Sequence, residues 1–202
     1  MAINIQWPYL LIVEGKDEEL FFDAFIHDLG LKSIQVMPIG GKTKLRENLK
    51  ALVRSSRFSK VRSIGIIRDA DEDPIAAFQS VRDALRNAEI PAPERPLSPT
   101  SLSPKVTVMI LPNEYESGRL ETLCLKAVKD NPAMICVDEY FQCLQRRSLT
   151  LPKNMDKAKI HVFLASKEEP DKRLGEAAQA GYWPWEAEAF DQVKTFLRQL
   201  CS

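Results

Sequence analysis

Histidine is almost missing from this chain: there are two, His27 and His161. Cysteine is sparse as well, and Cys124, Cys136, Cys143 and Cys201 form no C-x-x-C pair. A structural zinc site therefore lacks both its usual ligand types at usable spacing, and free thiols in a reducing compartment are the expectation. Charge of either sign is not in excess, because 28 Lys plus Arg balance 28 Asp plus Glu. That balance excludes a uniformly basic nucleic-acid coat protein and a long acidic tail. No apolar run approaches the roughly 20 residues needed to span a bilayer. Near the start the longest is Tyr9–Val13. No basic segment precedes an apolar stretch, so no secretory leader and a cytoplasmic location are expected. Repeats and low-complexity tracts are also missing. What is present is 202 residues with 45% apolar content, enough for one domain with a sizeable core.

The first half alternates between two hydrophobic periods. Tyr9–Val13 is continuously apolar, as a strand covered on both faces requires. Residues 17–29 then place Leu20, Ala24, Phe25 and Leu29 on one helical side, with Gly30 as a stop. Strands are expected at 33–39, 61–67 and 105–111, and a helix carrying Leu45, Leu49, Leu52 and Val53 between the first two of these. Asp73-Pro74 is a helix start, an Asp cap before Pro at the first helical position. The helix it opens is expected to turn Ile75, Phe78, Val81, Leu85 and Ala88 inward. This βαβαβαβ order predicts an α/β fold of three layers around a mainly parallel sheet. The segment 91–104 carries five prolines and is expected to be a surface excursion. Beyond residue 112 the pattern predicts a helical extension over 118–128, 134–147 and about 186–200. One further strand is expected at 159–165, and an aromatic turn at Tyr182, Trp183 and Trp185. That turn reads as core under the last helix, with a base-stacking platform as the weaker alternative. The whole chain is read as one domain, with its core at about 9–111.

Three polar segments follow strands, where α/β folds place their sites. Gly41-Lys42-Thr43 mimics the end of a phosphate-cradling P-loop, but the pattern demands Gly where Val36 stands. The bland reading is a glycine turn with Lys42 and Lys44 at its rim, available to a phosphate. The other two segments are acidic: Glu14-Gly15-Lys16-Asp17-Glu18 and Asp69-Ala70-Asp71-Glu72-Asp73. Asp73 is explained as a cap and Asp17 as a helix-dipole partner. Glu14, Asp69 and Asp71 are left, each directly after an apolar strand. Crowded carboxylates raise one another's pKa unless a cation sits among them, and hard oxygen ligands suit Mg²⁺ or Mn²⁺. Asp69 and Asp71 point the same way if that segment is extended. Glu14 and Glu18 share a face if a helix begins near Glu14.

An apolar strand ending in Glu-Gly ("LLIVEGKDEE", 10–19), followed by one ending in Asp-x-Asp ("SIGIIRDADED", 63–73), resembles the Toprim (topoisomerase–primase) domain. The intervening helix, strand and helix match that fold's order. The chain is similar in particular to small stand-alone proteins of the OLD-like nuclease group. That resemblance implies a second acid four residues after the first, which Glu18 fits, and a later Leu-Glu in a helix, matched by Gly118-Arg119-Leu120-Glu121. It also implies a lysine in the C-terminal part, Lys157 or Lys159, of which Lys157 is the candidate. The ATPase region of the larger OLD enzymes has no counterpart here.

The expectation is a Mg²⁺- or Mn²⁺-dependent enzyme that cuts or transfers a nucleic-acid phosphodiester. Glu14, Asp69, Asp71 and Lys157 are its catalytic candidates, and Glu14, Glu18, Asp69, Asp71 and Glu121 its metal candidates. Lys42, Lys44, Arg54 and Arg57 belong to a basic stretch opposed only by Glu47, a candidate nucleic-acid track equally readable as a solvated helix face. The alternative is a non-catalytic Toprim module that binds nucleic acid or a protein partner. An aspartyl phosphatase is disfavoured because Asp71 is followed by Glu72 and Asp73. A nucleotide-sugar transferase would leave Glu14-Gly15 unexplained.

Overall fold

A computed structural model describes residues 4–202. Four strands, β1 (Tyr9–Val13), β2 (Ile34–Pro38), β3 (Ser63–Asp69) and β4 (Lys105–Leu111), form one sheet in the order β2-β1-β3-β4. All three pairings are parallel. The chain is an α/β protein with a helical C-terminal extension. Between the strands run α1 (Lys16–Asp28), α2 (Leu45–Val53) and α3 (Pro74–Asn87). Five further helices follow β4: α4 (Leu120–Ala127), α5 (Ala133–Arg146), α6 (Met155–Ala165), α7 (Leu174–Gln179) and α8 (Asp191–Leu200).

The continuous apolar strands are explained by two cores, one on each face. Leu10, Ile12, Ile64, Ile66, Val106, Val108 and Ile110 meet α2 and α3. Their alternate neighbours Leu11, Val13, Ile67, Met109 and Leu111 meet α1 and the extension. Gly65 falls on the second face because α8 crosses there: a Cβ would lie 2.9 Å from Phe196 Cζ. The proline-rich excursion covers the exposed edge of β4, where Leu97 N donates to Val108 O (2.8 Å) and Thr100 N to Val106 O (3.0 Å).

Two expectations need correction. The expected strand at 159–165 is the second half of α6. Asn154 caps that helix by accepting from Lys157 N, and Ile160, Phe163 and Leu164 recur at helical, not alternating, spacing on its buried side. Ile75 is not inward but 77% exposed, since it sits in the first turn of α3 before that helix meets the sheet. The Asp73 cap itself is made, accepting from Ile75 N and Ala76 N at 2.9 and 3.0 Å. The aromatic turn is core: Trp183 is buried with Nε1 donating to Leu174 O, and Trp185 stacks on Phe25 with centroids 4.5 Å apart.

Candidate carboxylate centre

The carboxyl ends of β1 and β3 are adjacent in the sheet, so the two acidic segments meet. The pleat then divides them. Glu14 continues the parity of Leu10 and Ile12, toward the α2/α3 face, and there it pairs with Arg68, which shares that parity in β3. Asp69 takes the opposite parity, toward α1 and α4, and its Oδ1 accepts from Leu120 N at 3.1 Å. Arg68 is 8% exposed, an arginine inside an otherwise apolar strand. Its second terminal nitrogen lies 3.9 Å from Asp71 Oδ2.

Asp69 is the electrostatic focus. Burial pushes its carboxyl well above the usual range, and the charges of Glu14, Glu18, Glu121 and Asp71 push it further in the same direction. Glu18 is raised as well, first by burial and then by Glu14, Asp17 and Glu121. Three elements thus deliver Glu18 (α1), Asp69 (β3) and Glu121 (α4) to one place. Gly15 has a local reason to be glycine, because a Cβ there would crowd Glu18 Oε2 at 3.0 Å. The helix starts at Lys16, so Glu14 precedes it and does not share a helical face with Glu18 as expected.

Asp71 behaves differently. It does not continue the extended run from Asp69, because its φ is +53°, a conformation aspartate tolerates better than most residues. Its backbone exchanges two hydrogen bonds with Gly118, at 2.9 and 2.8 Å, tying the β3 loop to the entry of α4. Its carboxylate is held by Arg119 Nε at 2.8 Å and Lys42 Nζ at 3.0 Å. Partial burial pushes that carboxyl up, but the hydrogen bonds from Lys42 and Arg119 outweigh it and leave the group below its ordinary value.

Lys157 lines a cleft of about 410 Å³ together with Glu18, Glu121 and Arg173. Lys159, the other lysine considered, turns away to pair with Asp138 at 2.7 Å. Thr122 Oγ1 donates to Asp156 at 2.5 Å, joining α4 to α6 and thereby setting Lys157 over the cleft. The four basic candidates separate along α2, which runs back against the strands. Lys42 and Lys44 precede the helix at the carboxylate end, and Lys42 is engaged with Asp71. Arg54 and Arg57 follow it at the opposite end, where Arg57 donates to Ile5 O. They do not form one local patch with the lysines. Two cations of the centre, Arg68 and Arg119, escaped the sequence reading as partners. The signal for Arg68 was an arginine interrupting the apolar run of β3.

Among the described residues no three Asp, Glu, His or Cys side chains stand close enough together to hold a metal ion. What is concentrated there is negative charge, since burial and the neighbouring carboxylates both oppose ionisation of Asp69. Among the described residues no helix is long and apolar enough to cross a membrane.

Comparison with known proteins adds a family but no activity. No curated protein matches the chain, and no solved structure does. The family described as "Protein of unknown function (DUF3226)" matches residues 8–202, a span that takes in the sheet, the carboxylate centre and the whole helical extension, and the chain belongs to that family.

Proposed function

We propose that the chain is a divalent-metal-dependent enzyme acting on nucleic-acid phosphodiesters, with its centre at Asp69. The observation that carries this reading is the mutual electrostatic pressure of Asp69, Glu18 and Glu121, brought in by three elements, with Glu18 and Glu121 lining a cleft that also holds Lys157 and Arg173. Among the described residues those three acids have no salt-bridge partner, whereas Glu14 and Asp71 have arginine and lysine partners. Asp69, Glu18 and Glu121 do not by themselves stand close enough to enclose an ion, and on this reading Mg²⁺ or Mn²⁺ draws them together, with Glu14 adding charge from the other face. A bound dication supplies Lewis-acid polarisation of a phosphoryl oxygen and lowers the pKa of coordinated water. The chain's own residues do the rest. Leu120 N–H fixes one oxygen of Asp69 at the entry of α4, the helix that carries Glu121. Lys157 and Arg173 line the wall where a phosphate would place its remaining charge. The resemblance to Toprim proteins of the OLD-like nuclease group supports the same assignment.

A second reading has its own observation. Glu14 and Asp71 are already neutralised by Arg68, Lys42 and Arg119, as in a module that binds without cutting. One experiment separates the two. Wild type and Asp69→Asn are incubated with labelled single- and double-stranded DNA and RNA in Mg²⁺ or Mn²⁺, and metal binding is followed by calorimetry. Metal binding with cleavage, both lost in the variant, is expected. Metal binding without cleavage of any substrate favours the binding module, and no metal binding at all overturns the centre.

A further inference from the structure

At the opposite end of the sheet, where the strands begin, lies a groove of about 830 Å³ that the carboxylate centre does not reach. Its walls come from the segments that lead into β1, β2, β3 and β4. Those segments, residues 4–8, 30–33, 54–62 and 101–104, contain Lys32, Arg54, Arg57, Lys60 and Arg62 and not one acid. Arg57, Lys60 and Arg62 line the groove itself. Among the described residues none of the three has a carboxylate within ion-pair distance, although ten ion pairs are made elsewhere. Unpaired cations gathered in a concavity raise the local concentration of anions.

The same groove displays an aromatic ring. Trp7 is 50% exposed, against 3% for the core Trp183. Its ledge is fixed in three ways. Gln35 Oε1 accepts from Gln6 N at 2.7 Å, Gln35 Nε2 donates to Asn4 O at 2.8 Å, and Arg57 donates to Ile5 O at 3.2 Å. Ile5 is buried beneath it. The indole is therefore held out to solvent by a tethered backbone, and little further ordering is needed for a planar ligand to stack on it.

We propose that this groove binds single-stranded nucleic acid, the phosphates lying against Arg57, Lys60 and Arg62 and a base stacking on Trp7. A polyanion satisfies the cations. A free base face, which a duplex keeps within its stack, satisfies the ring. The site is a docking groove without catalytic groups, and it does not depend on the reading of the carboxylate centre.

The test uses the full chain in chelator at low salt, with fluorescein-labelled dT and rU oligonucleotides followed by anisotropy. Binding is expected to at least one of the two single strands, and more weakly to duplex. Trp7→Ala is expected to weaken it about tenfold, in line with loss of one stacked base, and Trp7→Phe to recover most of that loss. Lys60→Glu/Arg62→Glu is expected to flatten the salt dependence by about two phosphate contacts. Arg146→Glu/Arg147→Glu, on exposed positions at the C-terminal end of α5, makes the same change in net charge and is expected to alter nothing. In chelator the carboxylate centre holds uncompensated negative charge and repels a polyanion, so binding read there reports this groove and keeps its failure distinct from failure of that centre. The proposal is overturned if neither single strand binds, if duplex binds as well as single strand, or if the Arg146/Arg147 control loses as much as Lys60/Arg62. Thermal melts of each variant show that the comparisons are made between folded proteins.

Discussion

The two ends of the sheet are built from the same strands and carry opposite charge. At the carboxyl ends, Glu14, Glu18, Asp69, Asp71 and Glu121 gather within one another's electrostatic reach. At the amino ends, the lead-in segments hold five cations and no acid. A formal net charge of zero thus conceals local excesses of opposite sign. The ends also differ in how charge is managed. The acidic end is internally buttressed, with Arg68, Lys42 and Arg119 committed to particular carboxylates. The basic end leaves its cations unpaired among the described residues and adds an exposed tryptophan. On the proposed reading, the region that neutralises itself is organised for chemistry at the residues left over, and the region that does not is organised to receive charge from outside.

The most severe way to break the acidic end is Asp69→Asn. Metal-dependent cleavage is expected to fall by more than about 100-fold, beyond the loss typical of removing a mere supporting partner, in a gel assay with excess Mn²⁺. Next comes Arg68→Met, which strands Glu14 beside a buried apolar strand. We expect a loss of about 2 kcal/mol, below the full cost of breaking a buried pair because Glu14 remains 20% exposed, read as a lower midpoint in denaturant. Gly175→Ala attacks the same end from α7. Its Cβ would sit 2.4 Å from the Asp17 carbonyl of α1, so the contact between those helices must give, at about 1–3 kcal/mol. Cleavage is expected to drop with Tm while oligonucleotide binding at the basic end holds, and parallel loss of both would merge the two regions.

The pH prediction is smaller and sharpens the contrast. Asp69 has a folded pKa above its unfolded value, so it contributes stability that is present below the unfolded pKa and lost as pH rises through the folded one. In chelator, wild type is therefore expected to lose a few degrees of Tm relative to Asp69→Asn over that window, and Mn²⁺ to restore them. A Tm difference that does not change with pH would remove the charge crowding at this end. The smallest effect is expected of Lys42→Ala. Its bond to Asp71 is made by a lysine 58% exposed, so the change should stay within about 0.5 kcal/mol in a melt.

Much of the fold was legible because its signals are local. A five-residue apolar run, a glycine stop and an Asp-Pro cap each act within a few residues, and the β1, α1, α3 and β4 assignments rest on them. The stretch at 159–165 misled because Ile160, Val162 and Leu164 also alternate. The cap that decides for helix, Asn154, lies upstream of the window in which alternation is read. Within the centre, the acids were visible as types and positions, but their partners were not. Arg68 meets Glu14 across 54 positions of chain and Arg119 meets Asp71 across 48, distances over which no period carries information.

Taken alone, the amino-acid order determined that strands and helices alternate, that acids follow β1 and β3, and that basic residues crowd the approach to β3. Each is a property of neighbouring residues. The tertiary structure decided which acids remain free. The parallel pairing of β1 with β3 brought the acidic segments together, and the pleat then sent Glu14 to Arg68 on one face and Asp69 to Glu18 and Glu121 on the other. It also separated Arg57 from Lys42, because α2 must run back along the sheet before β3 can start parallel to β1.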